Sequence, residues 1–228
     1  MAVSLSMRSA LNFGRRGGFT LIELLTVMAV IAILAALLLQ ISGYVQKKGA
    51  MARAEAEIKA MEAACESYKS DNGIYPRGPS VAMTVGGTSI PVNATDSLDA
   101  RTTGAPTSYT TQSLYLYVQL SGDTNGDGTP GDGGAKIYMD FKPGMLGGTK
   151  NTSGFVNPVT CIQDPWGNSY GYSTAYQADS EVQAAKTPPG TVTKGYNPTF
   201  DLWSTTGLTT TPKPGVAGDV TLQWIKNW

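Results

Sequence analysis

The chain has 228 residues, with 17 Lys plus Arg against 17 Asp plus Glu, so it is neutral at pH 7 and has no electrostatic attraction for a polyanion such as nucleic acid. It contains no histidine, which removes Ser-His-Asp and Cys-His catalysis and every His-based zinc or iron site; no other catalytic constellation stands out, and the sequence reads as non-enzymatic. Two cysteines, Cys65 and Cys161, are too few for a structural zinc site and permit at most one disulfide, the alternative being that Cys65 simply packs on an apolar helix stripe.

The first 18 residues form a short basic leader, with Arg8, Arg15 and Arg16 and no acid; without it 14 basic side chains face 17 acidic ones, a net of −3. From Phe19 to Leu39 run 21 residues of almost unbroken apolar character, enough for a helix to cross a hydrocarbon core of about 30 Å. Glu23 interrupts the run, and an ionised carboxylate there costs about 3 kcal/mol in lipid unless it is paired. A cut between Gly18 and Phe19 would create an amine on Phe19 that answers it. A secretory signal peptide has a shorter apolar region and a small-residue cleavage site. A plain anchor explains the length but neither Glu23 nor the Gly18-Phe19 junction.

The string Gly17-Gly18-Phe19-Thr20-Leu21-Ile22-Glu23-Leu24-Leu25 resembles the processing site of type IV prepilins and type II secretion pseudopilins. The resemblance implies cleavage after Gly18 by a prepilin peptidase, methylation of the new N-terminal Phe19, and pairing of Glu23 with the Phe19 amine of a neighbouring subunit.

Beyond the apolar run the helix is predicted to continue to Asn72. Met51, Ala54, Ile58, Met61, Cys65 and Tyr68 recur at spacings of three and four, with charges on the other faces, and this stripe reads as core packing. Such a helix would be about 80 Å long. Asn72-Gly73 and Pro76 end it, and Tyr68 to Pro76 also resembles the end of the first helix in major pseudopilins. Residues 77–111 read as a long surface excursion with a hairpin around Met83–Ile90. Gln112–Ser121 fits a strand or a short helix by pattern, and the resemblance favours the helix. Lys136–Phe141 alternates cleanly and reads as a strand.

In the last third, Asp164-Pro165-Trp166-Gly167-Asn168-Ser169-Tyr170 resembles a pseudopilin turn that leads into a sheet strand, with Ser169 where the family usually has proline. Phe200–Gly207 resembles the next strand and loop. The stretch from Asp219-Val220 to Asn227-Trp228 resembles the family's acidic pair and terminal Asn-Trp. Trp166, Trp203, Trp224 and Trp228 read as packing residues rather than a ligand platform.

Two stretches could hold Ca²⁺, and no cofactor is otherwise required. Asp123-Thr124-Asn125-Gly126-Asp127-Gly128 follows the opening of an EF-hand-type loop; Gly134 stands where the bidentate Glu belongs, so Asp132 would have to serve, and a solvated turn is the equal alternative. In major pseudopilins the loop after the strand holds calcium through backbone carbonyls and a pair of acids. Here that loop is Leu202 to Val220 and keeps only Asp219, Val220 replacing the second acid, which weakens or abolishes the site.

The resemblance implies an α+β, type IV pilin-like fold: a long N-terminal helix packed on a small antiparallel β-sheet with extended loops. The parts are a leader (1–18), a transmembrane and filament-core helix (19–41), its amphipathic continuation (42–72) and a periplasmic globular domain (73–228). The expected role is that of a major pseudopilin of a type II secretion system, single-pass in the inner membrane. Its partners would be other copies of itself, prepilin peptidase, other pseudopilins, the inner-membrane assembly platform and lipid. The balance of Lys47 and Lys48 against the leader arginines sets orientation only weakly, so topology rests on the resemblance. A type IV pilus subunit is the nearest alternative; a membrane-tethered calcium- or carbohydrate-binding module is one of another class.

Overall fold

The computed structural model describes residues 18–103, 105–152, 154–208 and 223–228, with the backbone alone at 38–42. Two compact units divide between Gln46 and Lys47. Helix α1 spans Leu21–Asn72, so the expected uninterrupted helix is present and residues 47–72 belong with the globular unit.

In the first unit the large apolar side chains point outward all round the helix. Leu24, Leu25, Val27, Met28, Val30, Ile31, Ile33, Leu34 and Leu37 are all exposed. A helix that is apolar on every face demands an apolar surrounding. The expected membrane span at 19–41 reaches into residues whose side chains are not described; among the described residues no helix is long and apolar enough to cross a membrane.

In the second unit the same helix becomes amphipathic. Ala54, Ile58, Met61 and Cys65 are buried while Arg53, Lys59 and Glu66 stay in solvent, as the three-and-four spacing predicts. Burying Ile58 and Met61 contributes about 2 kcal/mol each. The helix stops where Gly73 takes a left-handed φ of 77° and its N–H donates to the Lys69 carbonyl at 2.8 Å.

Strands β1 (Met83–Val85) and β2 (Thr88–Ile90) form the expected hairpin, followed by a single turn of helix, α2 (Ala94–Ser97). The excursion at 77–111 is more than surface. Val85, Ile90 and Ala94 join the main core, and Leu98, Ala100 and Tyr109 join a second cluster. Arg77 anchors the segment through its guanidinium, with Nε 2.9 Å from Asp96 and Nη1 2.5 Å from Glu181.

Helix α3 (Thr110–Ser121) settles the ambiguous stretch in favour of helix, burying Leu114, Leu116, Tyr117 and Leu120 at the centre of the unit. The expected strand at 136–141 does not form. The Tyr138 and Met139 N–H groups both donate to the Leu120 carbonyl at the end of α3, at 2.8 and 3.0 Å, and both side chains pack on the core. Two adjacent residues facing inward break the alternation, and among the described residues no strand pairs with it.

Strands β3 (Leu146–Lys150) and β4 (Val156–Ile162) make a second hairpin. Strands β5 (Gly171–Ser173), β6 (Asp201–Ser204) and β7 (Ile225–Lys226) make a three-stranded sheet, and helix α4 (Ala175–Ala184), which the sequence reading did not anticipate, follows β5. Among the described residues the pairings are antiparallel, as expected, but they form three separate small sheets rather than one. The core joins Ile58, Met61 and Cys65 of α1 to Leu114 and Leu120 of α3, Val159 and Ile162 of β4, and Tyr172 and Leu202 of the three-stranded sheet. Beside it, Tyr109, Trp203 and Trp224 form the second cluster. Trp203 and Trp224 are thus core residues as expected, while Trp166 and Trp228 are half-buried.

Candidate functional site: the helix start and the turns that brace the globular unit

Gly18, Phe19 and Thr20 precede the helix, and Phe19 is 90% exposed. Thr20 and Glu23 form a reciprocal cap. The Thr20 N–H and hydroxyl each donate to Glu23 Oε2 at 2.8 Å, and the Glu23 N–H donates back to Thr20 Oγ1 at 3.3 Å. The Thr20 carbonyl accepts the first helical bond, from the Leu24 N–H at 3.2 Å. This is a capping box, which satisfies helix-terminal donors that would otherwise be orphaned. Sequence reasoning treated Glu23 only as a charge in need of an amine. The missed signal was the Thr-x-x-Glu spacing directly before an apolar run. Within one chain the carboxylate already has hydrogen-bond donors, and both of these bonds end on Oε2.

The Asp164–Ser169 stretch forms the expected turn, and Asp164 is its hub. Its Oδ1 accepts the N–H groups of Trp166 and Asn168 at 3.0 and 2.8 Å, and its Oδ2 accepts the Ser204 hydroxyl of β6 at 2.6 Å. Burial pushes the Asp164 carboxyl above its ordinary range, and these three donors oppose that push. One strand further, Gly171 lies opposite Trp203; a Cβ at Gly171 would come within 2.0 Å of the indole. Glycine is therefore the residue that lets the Trp203 ring lie across β5.

The candidate calcium residues fall into two places. In the loop after α3, Asp123 is buried; its Oδ1 accepts from the Gly126 N–H at 2.6 Å, and its Oδ2 accepts from the Gly128 N–H at 2.8 Å and the Tyr117 hydroxyl at 2.6 Å. Asn125 Oδ1 accepts the Asp127 N–H, and Asp127 Oδ1 accepts the Thr129 N–H, which holds the Asp127 carboxyl below its ordinary range. Asp132 Oδ2 closes the loop on the N–H groups of Thr124 and Asn125 at 2.9 and 3.1 Å. Both Asp123 oxygens, Asn125 Oδ1, Asp127 Oδ1 and Asp132 Oδ2 thus accept hydrogen bonds from within the loop and from Tyr117. Among the described residues no group of three or more His, Cys, Asp or Glu is placed to hold a metal. The loop has a bracing role: its Asn125 and Gly126 carbonyls accept the N–H groups of Gly86 and Val159, joining the two hairpins. In the other place, the Leu202 carbonyl accepts the Asn227 N–H at 3.2 Å, and Asp219 lies outside the described residues.

Cys65 and Cys161 are both buried free thiols, so the disulfide that the sequence permits is not made. Cys65 packs in the main core, whereas the Cys161 sulfur lies over Gly147, its cross-strand neighbour, where a Cβ would approach within 2.5 Å. Burial pushes both thiols above their ordinary range.

Residues 14–39 match the family model described as the prokaryotic N-terminal methylation motif. Comparison with curated proteins and with solved structures gives no match. The motif supports a type IV pilin-like protein, a structural rather than an enzymatic class. It implies processing by a prepilin peptidase and self-polymerisation, as pilus or pseudopilus, from a membrane-anchored precursor. Gly18, Phe19 and Glu23 all lie within the matched segment.

Proposed function

We propose that the chain is a major pseudopilin of a type II secretion system, cut after Gly18, methylated on Phe19 and polymerised into a periplasmic filament whose growth drives protein export. The observation that carries the filament role is the matched N-terminal motif on a helix whose apolar side chains are exposed on every face. Such a surface is stable in lipid before assembly and among other helices after it, because both environments are apolar. In the filament Glu23 pairs with the Phe19 amine of a neighbour, a charge pair that offsets its burial. The choice of pseudopilus over pilus rests on the Asp164-Pro165-Trp166-Gly167-Asn168 turn and the terminal Asn227-Trp228, which resemble pseudopilins.

Intact mass and N-terminal sequencing of the protein from its native membrane test the processing, with methylated Phe19 as the expected first residue. Glu23→Ala should leave membrane insertion intact and reduce filament yield; normal yield would overturn the assigned role of Glu23. Deleting the protein should abolish export of periplasmic cargo and leave surface motility and adhesion untouched. The reverse pattern would make it a type IV pilus subunit.

A further inference from the structure

Polar side chains buried around the main core are satisfied from within the chain. The Ser113 hydroxyl donates to the Ile162 carbonyl at 3.2 Å and accepts the Ile162 N–H at 2.9 Å. The Tyr172 hydroxyl donates to the Pro76 carbonyl at 2.7 Å, and Gln112 Nε2 donates to the Ala94 carbonyl at 3.1 Å. The second cluster differs. Tyr109, Trp203 and Trp224, its three buried aromatics, each carry a buried polar atom that has no hydrogen-bond partner, and so does Thr205, just beyond β6. A buried polar atom without a partner costs free energy, and native interiors hold few of them.

Three of these atoms converge. Tyr109 closes the single-turn helix Pro106–Tyr109 ahead of α3, Trp203 lies in β6, and Thr205 directly follows β6. Tyr109 and Trp203 are 0% exposed and Thr205 1%. The Tyr109 ring meets the Trp203 indole edge-on, with centroids 5.3 Å apart. Burial pushes the Tyr109 hydroxyl far above its ordinary range; the polar groups of Trp203 and Thr205 lie near enough to oppose that push, yet neither bonds to it directly. Neighbouring polar groups that do not meet directly are what a bridging water joins. The indole is not free to turn toward another acceptor. Trp224 stacks on it at 5.9 Å with 8° between the planes, and a Cβ at Gly171 would come within 2.0 Å of it.

The chemistry of the three groups selects a neutral ligand that both donates and accepts. Trp203 Nε1–H only donates, whereas the two hydroxyls do either. A cation finds no lone pair on the indole nitrogen, and an anion would meet the Asp164 carboxylate, whose charge also acts on the Tyr109 hydroxyl. A water oxygen accepts from the indole and from one hydroxyl and donates to the other, and about three bonds is usual for an internal water. We infer that the Tyr109 hydroxyl, Trp203 Nε1–H and Thr205 Oγ1 form a binding site for a single internal water, which ties the entry to α3 to the end of β6. The site belongs to the globular unit and does not depend on the filament reading.

The test uses the full-length chain in detergent with isotopically labelled tryptophan, Trp203→Phe identifying the Trp203 indole signal by its loss. That indole proton should show a cross-peak to water of opposite sign in laboratory-frame and rotating-frame spectra, the mark of a bound water as against simple proton exchange. Thr205→Ser should keep the cross-peak, and Tyr109→Phe combined with Thr205→Val should abolish it. Those two changes should each lower the denaturation midpoint, and together by less than the sum, because both remove ligands of one water. A missing cross-peak, or one of equal sign in both spectra, would overturn the site, as would strictly additive midpoint shifts.

Discussion

Helix α1 has two halves that differ in what covers their apolar residues. From Lys47 onward the stripe of Ala54, Ile58, Met61 and Cys65 is buried against the chain's own strands and α3; before Gln46, Ile31, Leu34 and their neighbours are exposed among the described residues. One helix thus has a half whose apolar stripe is buried within the globular unit and a half whose described apolar side chains are exposed. The difference is visible in periodicity: polar residues interleave at helical spacing in the second half and are nearly absent from the first.

Substitutions can sharpen that contrast. The largest effect is expected at Met61→Ala, which should lower the stability of the globular unit by about 3 kcal/mol through a core cavity; Leu34→Ala should leave its thermal unfolding in detergent unchanged. Equal losses from both would break the distinction. Gly171→Ala should cost nearly as much, about 3 kcal/mol, because the new Cβ collides with the Trp203 ring. Far-UV and near-UV melts of the detergent-solubilised chain would measure it.

A pH effect should also map to the second unit alone. Burial, with Asp99 adding to it, pushes the Asp201 carboxyl up to about 6, although it accepts the Tyr196 and Asn197 N–H groups at 2.9 and 2.8 Å. The folded state therefore favours the protonated form. Its contribution is fully present below the ordinary carboxyl value of 3.8 and is lost as pH rises through about 6. The total is about 2–3 kcal/mol. Asp201→Asn should flatten the denaturation midpoint across that window, and an unchanged slope would reject the assignment. The smallest effect belongs to the first unit: Thr20→Ala removes one side of the capping box and should cost the helix start about 1 kcal/mol. Amide exchange at Ile22–Leu24 would report it without any change beyond Lys47.

What the sequence made legible follows the same division. Periodicity placed α1 to its last residue because the stripe and the Asn72-Gly73 stop are local signals. The Asp164 turn was readable because Asp-Pro and Gly-Asn encode it within five residues. The Lys136–Phe141 strand was misread because alternation records which way side chains point and not whether a partner strand exists; the amides there go to the end of α3. The packed interior of 77–111 escaped notice because Ala94, Leu98 and Ala100 are buried by residues distant in sequence. The acidic spacing at Asp123–Asp132 suits either cation or amides, because alternate side-chain oxygens can face a metal or accept the loop's own N–H groups. The Glu23 cap was legible in Thr20-x-x-Glu23 and was overshadowed by the charge argument.

That cap has an electrostatic consequence. The start of a helix carries about half a positive charge, and an ammonium released on Phe19 would sit one residue before the Thr20 cap and be repelled by it. Glu23, at the third helical position, lies where a carboxylate offsets both. The bond between Gly18 and Phe19 lies ahead of the first helical hydrogen bond, so hydrolysis there would unwind nothing.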